Sequence, residues 1–177
     1  MSSISTVRSP SPRPIILLIV VAVVATMVAF NGPIRELVRR WINQEEYSHG
    51  FLIPIVTGWL LWQRRDALAN SIGSPSWVGV IVIAIAGMMH VVGGLGALFI
   101  VSQVGFVVAL IGAVLCIGGH SLMRVAFIPI IFLLFAIPLP YFIDSILSWR
   151  LQLISSSLGT QIIQIFQIPV NLEGNVI

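Results

Sequence analysis

The 177-residue chain is 58% hydrophobic and only 8% charged, with a formal net charge of +3. A soluble globular domain carries about 25% charged residues, so a chain of this composition has too little polar surface to face water and requires lipid. All nine basic residues are arginines scattered between apolar runs, a pattern typical of membrane-topology signals that excludes the continuous basic face of a nucleic-acid-binding protein.

The N-terminal region divides into a polar tail and a first apolar run. Residues 1–14 are rich in Ser and Pro, and we expect them to be disordered and cytoplasmic. Residues 15–30 are almost entirely apolar, and the stretch TMVAFNG at their end lacks a small-x-small cleavage site. The pattern therefore predicts an uncleaved first transmembrane helix.

The next segment has the pattern of an amphipathic helix. Within residues 33–43, apolar side chains recur every three or four positions, and the opposite face carries Arg and Glu. Glu36 and Arg40 stand four residues apart on that face, and Pro33 suits a first helical turn. We expect this helix to lie in the headgroup region of the membrane.

Residues 50–63 form a short apolar segment between the sequence EEYSHG and the pair Arg64–Arg65. Its apolar part is shorter than the ~20 residues of an ordinary span. The segment either crosses a locally thinned bilayer or re-enters on the side from which it came. The sequence leaves these two alternatives open.

Three further apolar segments complete the predicted membrane part, at residues 77–92, 95–118 and 124–138. The chain is thus predicted to be an all-α, polytopic integral membrane protein with about five transmembrane helices and one further, polar-striped helix. In the second of the three segments and just beyond it, glycines recur every seven residues, so they share one face and permit close helix packing. These glycines are Gly105, Gly112 and Gly119.

The arginines predict the orientation of these segments. With the N-terminus in the cytoplasm, five arginines lie on the inner side and four on the outer side, as the positive-inside rule requires. Under this topology three features face outward: the Tyr-Ser-His-Gly tetrad at residues 47–50, His90, and the start of the segment after Pro140.

Residues 141–168 are as long as a span but carry a polar line along one helical face. In that line Asp144, Ser148, Gln152 and Ser155 recur every three or four positions. Polar side chains are costly in contact with lipid, so we expect this face to contact other helices or a wet cavity. The line either forms interhelical hydrogen bonds or lines a substrate cleft, and both interpretations stay open.

The sequence EEYSHGFLIPIVTGWLLWQRRDAL resembles the N-terminal signature of the exosortases, multi-pass bacterial relatives of the archaeosortases. In that family a Tyr-Ser-His-Gly followed by Phe-Leu-Ile-Pro opens a segment that ends in Leu-Trp and paired arginines. A second stretch, FAIPLPYFIDSILSWRLQLISSSLGT, resembles the family's Ile-Pro-Leu-Pro element and the polar helix after it, in the form of the subgroup associated with Val-Pro-Glu-Ile-Asp sorting tails. The positions that match the first signature are Tyr47, Ser48, His49, Gly50, Phe51, Leu52, Ile53, Pro54, Trp62, Arg64 and Arg65.

The resemblance implies an outward-facing cysteine transpeptidase or peptidase of the bacterial inner membrane. Its substrates would be exported surface or matrix proteins with a C-terminal sorting tail, made of a short Pro-Glu-Pro-like motif, a transmembrane helix and a basic cluster. A thiolate would attack the scissile carbonyl, and His or Arg partners would activate it and stabilise the acyl intermediate. The resemblance implies no cofactor, and the three histidines show no metal-ligand spacing.

The catalytic cysteine of the family lies in an Ala-Cys-Ser-Gly block, and the stretch PVNLEGNVI at residues 169–177 resembles the segment just before that block. Cys116 lies in an apolar segment and in a different motif, so we expect it to be an inert packing residue. Residues 15–177 are therefore interpreted as the N-terminal portion of an exosortase-type membrane domain. Its catalytic residues are expected beyond Ile177, and the chain by itself is expected to be inactive.

The candidate site within the chain consists of Tyr47, Ser48, His49, Gly50 and Pro54. These residues either border the substrate entry or form an ordinary interfacial cap, in which Ser48 caps the helix that begins near Gly50. His49 is the one group in the signature that changes charge near neutral pH. A different class of function is also open, a non-enzymatic transporter subunit or scaffold, although the chain shows no internal repeat of the kind that transporters carry.

Overall fold

A computed structural model describes residues 12–166 of the chain, in two compact units that divide after Pro138. The part of the chain that the structure describes is almost entirely helical and contains no strand, which confirms the all-α prediction. Most of the predicted disordered tail and all of residues 169–177 lie outside the described range. The elements in chain order are α1 (Pro12–Ala29), α2 (Asn31–Asn43), a 3-10 helix (Glu45–Phe51), α3 (Leu52–Gln63), α4 (Arg65–Asn70), α5 (Trp77–Leu95), α6 (Phe99–Phe132), a second 3-10 helix (Leu133–Ala136) and α7 (Tyr141–Ile165).

Helix α6 consists of two arms that fold back on each other at Gly119. The backbone there has φ +68° and ψ −169°, a conformation that glycine adopts readily and other residues do not. Two contacts with α2 demonstrate the fold-back. The Gln103 side chain donates to the Pro33 carbonyl (3.5 Å), and the Trp41 indole donates to the Ala136 carbonyl (2.8 Å). Eight residues of α2 cover about 12 Å, whereas a straight helix would separate residues 103 and 136 by about 50 Å.

By length and composition, two helices of the described part can each cross a membrane, Trp77–Leu95 and Phe99–Ala136. A third span results if the bent pair Leu17–Ala29 and Asn31–Asn43 is counted as one. The sequence predicts about five spans, and all five predicted segments are helical. Fewer qualify because the fourth and fifth segments are the two arms of α6, joined without a loop, and because α3 has only 12 residues.

The packing of α5 on the first arm of α6 is close because glycines line it. A Cβ at Gly79 would overlap the Cys116 side chain and backbone and the Gly112 carbonyl. The predicted glycine face is correct at Gly105 and Gly112, which both meet α5. Gly119 has a different role, because its turn conformation brings it against the backbone of the loop that precedes α5.

Helix α2 lies across one end of the first unit, bent by 76° from α1. Its apolar face is buried at Pro33, Leu37 and Trp41, and on its other face Glu36 and Arg40 form an ion pair at 3.2 Å. The predicted amphipathic helix is therefore present. We call this end of the first unit the α2 end, and the opposite end, where α6 reverses, the Gly119 end.

The second unit is described through α7. The predicted polar stripe lies on this helix as expected, with Asp144, Ser148, Gln152 and Ser155 at successive turns of one face. The helix is regular enough for the Thr160 hydroxyl to donate to a carbonyl one turn earlier, at 2.8 Å. The role of the stripe as a cleft lining stays a prediction.

Candidate functional site

The signature tetrad lies in the 3-10 helix Glu45–Phe51, which leads directly into α3. The Ser48 hydroxyl donates to the Glu45 carbonyl at 2.8 Å. The expectation that Ser48 caps the following helix is therefore wrong: Phe51 holds the N-cap position of α3, without a side-chain hydrogen bond. Pro54 lies in the first turn of α3, where its missing N–H removes no intrahelical bond, so it does not interrupt the helix.

Gly50 is explained by its contact with Trp41. A Cβ at position 50 would overlap the indole ring, which is only 7% exposed. The indole N–H donates to the Ala136 carbonyl at 2.8 Å, and the Phe51 ring packs edge-on against it at 5.1 Å. Trp41 therefore joins α2, the tetrad and the second 3-10 helix. The apolar pattern of residues 33–43 includes Trp41 but does not predict this role, although a buried indole N–H requires an acceptor.

Tyr47 and His49 have different environments within the tetrad. Tyr47 is half-buried, whereas His49 is exposed, with ring centroids 6.4 Å apart. His90 also lies at the α2 end, but it packs on Phe30 at 4.6 Å and not on the tetrad. Of the two histidines at the α2 end, His49 is the exposed one. The cluster on which Tyr47 packs consists of Leu37, Trp41, Ile53 and Ala136.

An apolar groove of about 700 Å³ runs between α1 and α3 over the two arms of α6. The apolar face of α2 closes it at the α2 end, where the lining residue Trp41 contacts Gly50 of the tetrad, and α4 closes it at the Gly119 end. Pro54, Thr57 and Gly58 line it from α3. A Cβ at Gly58 would meet no atom within 4 Å, so this wall of the groove is open.

Two of the polar side chains that line the mostly apolar groove are buried. Thr57 is 5% exposed, and its hydroxyl has no hydrogen-bond partner in the described chain. By contrast, the Thr26 hydroxyl donates to the carbonyl one turn earlier at 2.8 Å, as helical threonines commonly do. Gln103 is 3% exposed, and its amide nitrogen donates to Pro33. An unpaired buried hydroxyl is unfavourable, so Thr57 is a candidate for contact with a bound molecule.

Arg64 of the signature stabilises the Gly119 end. Proline has no N–H, so Pro129 leaves the carbonyl four residues earlier, on Val125, without its helical donor. The Arg64 guanidinium donates to that carbonyl at 3.3 Å. The neighbouring Arg65 has a different environment, 5.0 Å from the Trp62 ring centroid. The first arginine of the signature pair is therefore explained by helix packing.

The single cysteine and the histidines do not form a catalytic or metal-binding cluster in the described part. Cys116 lies at the close contact of α6 with Gly79, and His120 lies at the Gly119 end, away from the other two histidines. Across residues 12–166, no three His, Cys, Asp or Glu side chains are grouped to hold a metal ion. The predicted site residues of the tetrad are brought together, and the stripe residues lie on α7, in the second unit.

These features define the class: an all-α membrane protein in which a polar tetrad stands at one end of an apolar groove. The family model for transmembrane exosortases (Exosortase_EpsH) matches residues 41–177, which contain the whole signature. The chain belongs to the transmembrane exosortase family, so the resemblance to that family is confirmed, and the subgroup stays a prediction. Neither curated proteins nor solved structures gave a match.

Proposed function

We propose that this chain takes part in the cleavage and transfer of exported proteins that carry a C-terminal sorting tail. Membership of the exosortase family supports the reaction class, cysteine transpeptidation in a membrane. The proposed location is the bacterial inner membrane, with the N-terminus in the cytoplasm and the α2 end on the outer side. The observation that carries the proposal is the apolar groove that ends beside the tetrad.

The groove suits one face of an apolar helix. It is bounded by α3, whose 12 residues extend about 18 Å. Small residues allow helices in membranes to approach closely, and Gly58 supplies such a residue on the wall of the groove. A tail helix whose side chains insert there would bring the polar motif that precedes it to the tetrad. The unpaired Thr57 hydroxyl would gain a partner from the tail.

The roles within the proposed site follow from exposure. His49 is exposed, and we assign it contact with the polar motif of the tail, while Tyr47, Gly50 and Pro54 shape the entrance. Ser48 holds the 3-10 helix closed through its bond to Glu45. The polar face of α7 is a further candidate for substrate contact. Cys116 has a packing role and is not proposed as the nucleophile.

Deleting the gene in its native host tests the reaction. We expect tailed proteins to remain at their uncleaved length in the membrane fraction, and the intact gene to restore the shorter product. A Cys116→Ser gene should restore it equally well, because that thiol is assigned to packing. Normal tail processing in the deletion strain would contradict the proposal and favour a transporter subunit or scaffold.

The groove is tested by a substitution that fills it. Gly58→Leu, introduced into the intact gene, places a side chain into open space, so the protein should fold normally while processing of the tailed substrate falls roughly tenfold. The matched control is Gly87→Leu on α5, where a Cβ also meets nothing within 4 Å but no groove is lined. A photo-crosslinker at Val23 should capture the tail. Equal processing by both variants would place the tail elsewhere.

A further inference from the structure

A second cavity lies at the α2 end, on the polar face of α2. Unlike the apolar groove, it is lined by several charged and polar side chains. It encloses about 380 Å³ between α2, the end of α5 and the start of α6. We call it the arginine recess. Its charged and polar side chains belong to Arg35, Glu36, Arg39, His90 and Ser102.

The arginine recess carries positive charge that the described residues leave uncompensated. Arg35 and Arg39 stand four residues apart on α2, so both side chains leave the same face, where like charges repel. The carboxylate in the recess, on Glu36, is paired with Arg40 at 3.2 Å. Between residues 12 and 166, neither Arg35 nor Arg39 has a carboxylate within ion-pair distance. An anion bound in the recess would relieve this repulsion.

His90 adds an unsatisfied buried nitrogen to the recess. Its Nδ1 atom is buried and has no hydrogen-bond partner in the described residues. The ring is held on Phe30, and the Ser102 hydroxyl donates to the carbonyl of His90 itself at 3.1 Å. A buried polar atom without a partner is unfavourable, so His90 is a polar residue of the recess with an unsatisfied ring nitrogen.

The surroundings of the recess are apolar and exposed. The turn between α5 and α6 presents Leu95 at 85%, Leu98 at 54% and Phe99 at 42% exposure, and Phe99 itself lines the recess. A ligand that is only an anion makes no use of these side chains. A molecule with an anionic head and an apolar body matches both the arginines and their apolar surroundings.

We propose that the arginine recess binds the phosphate of an anionic phospholipid. Guanidinium groups match phosphate oxygens in geometry and charge, and they bind them through paired N–H donors. An amphipathic helix that lies across the ends of apolar helices holds its polar face at the depth of lipid headgroups. The site goes beyond the proposed processing function, because it concerns neither the groove nor the tetrad.

Native mass spectrometry of the purified full chain tests the site. After delipidation in detergent, the protein is titrated with phosphatidylglycerol and, separately, with phosphatidylcholine. The wild type should retain one phosphatidylglycerol in preference to phosphatidylcholine, and Arg35→Gln with Arg39→Gln should weaken that retention roughly tenfold or more. The matched control, Arg124→Gln, removes one exposed arginine at the Gly119 end and should retain the lipid as the wild type does.

A second measurement, of thermal stability, tests whether the variants fold. It also distinguishes a phospholipid from free phosphate as the ligand. The thermal midpoint of each purified protein is recorded without ligand, with phosphatidylglycerol, and with inorganic phosphate at equal concentration. Phosphatidylglycerol should raise the midpoint of the wild type and of Arg124→Gln, and leave that of the double variant unchanged. Equal stabilisation by inorganic phosphate would overturn the lipid assignment. Equal lipid retention by the wild type and the double variant would overturn the site.

Discussion

The two sides of helix α6 differ in how they are covered. On one side, α5 packs so closely on the first arm that glycines are required, and a Cβ at Gly79 would overlap Cys116 and Gly112. On the other side, α1 and α3 leave a groove of about 700 Å³, and a Cβ at Gly58 would meet nothing within 4 Å. Glycine thus has different structural roles in the two regions. It permits close helix packing in one and borders open space in the other. The difference makes the α1–α3 side the one with open space for the proposed tail helix.

The largest effect is expected from filling the closely packed side. Gly79→Leu forces α5 away from the first arm of α6, and it should lower the free energy of unfolding by about 3 kcal/mol. Gly87→Leu, on the same helix but against open space, should leave it unchanged within about 0.5 kcal/mol. Equilibrium unfolding in mixed micelles measures both. Similar values for the two variants would remove the contrast between packed and open glycines.

The second effect concerns the junction of the tetrad with α2. Gly50→Ala should lower the free energy of unfolding by about 2 kcal/mol, because the added Cβ overlaps the Trp41 indole. If the overlap is the cause, Gly50→Ala should be less harmful in a Trp41→Leu background than in the wild type. The double-mutant cycle checks this coupling. Additive losses would mean that Gly50 is required for its backbone alone.

A third effect on the free energy of unfolding is expected at Arg64, which follows the C-terminal end of α3. Arg64→Gln should lower the free energy of unfolding by about 1.5 kcal/mol, because the Val125 carbonyl loses its charged donor. Pro129→Ala supplies a backbone N–H for the same carbonyl, so it should partly offset the loss in the double variant.

Arg65→Gln is the control for this pair. Arg65 is exposed and lies 3.9 Å from Asp66, a weak surface pair worth less than about 1 kcal/mol. Its unfolding free energy should therefore stay within about 0.5 kcal/mol of the wild type. A loss as large as that of Arg64→Gln would assign the effect to charge near the membrane and not to the Val125 carbonyl.

Much of the fold on both sides of α6 is predictable from hydrophobic patterning. The apolar segments, the amphipathic α2 and the position of the tetrad at one end follow from composition and spacing, because burial in lipid and the helical period act locally. A break between the fourth and fifth apolar segments is predicted at residues 119–123, but the tight geometry of the fold-back of α6 does not follow from patterning. It depends on one backbone conformation and on a contact with the distant loop at Ser74.

The candidate site is less predictable because it depends on contacts between elements. The signature identifies Gly50 and Arg64 by type, but the partners that explain them, Trp41 and Val125, lie on other helices. The groove is a gap between helices that do not contact each other, and a local sequence pattern cannot predict such a gap. Thr57 is an example, since its sequence context gives no sign that its hydroxyl lacks a partner.

The smallest effect on stability is expected at Thr57 in the groove. There the free energy of unfolding should not fall, in contrast to the loss expected on the closely packed side. Thr57→Val keeps the shape and removes an unpaired buried hydroxyl, so the free energy of unfolding should stay level or rise by up to about 1 kcal/mol. Processing of a tailed substrate should nevertheless fall severalfold, because the tail loses its polar contact in the groove. Measured together, a stability that does not fall and a lower processing rate mark a group kept for binding. A fall in stability with unchanged processing would mean that the Thr57 hydroxyl is satisfied within the fold, and the groove would then lack a polar contact for the tail.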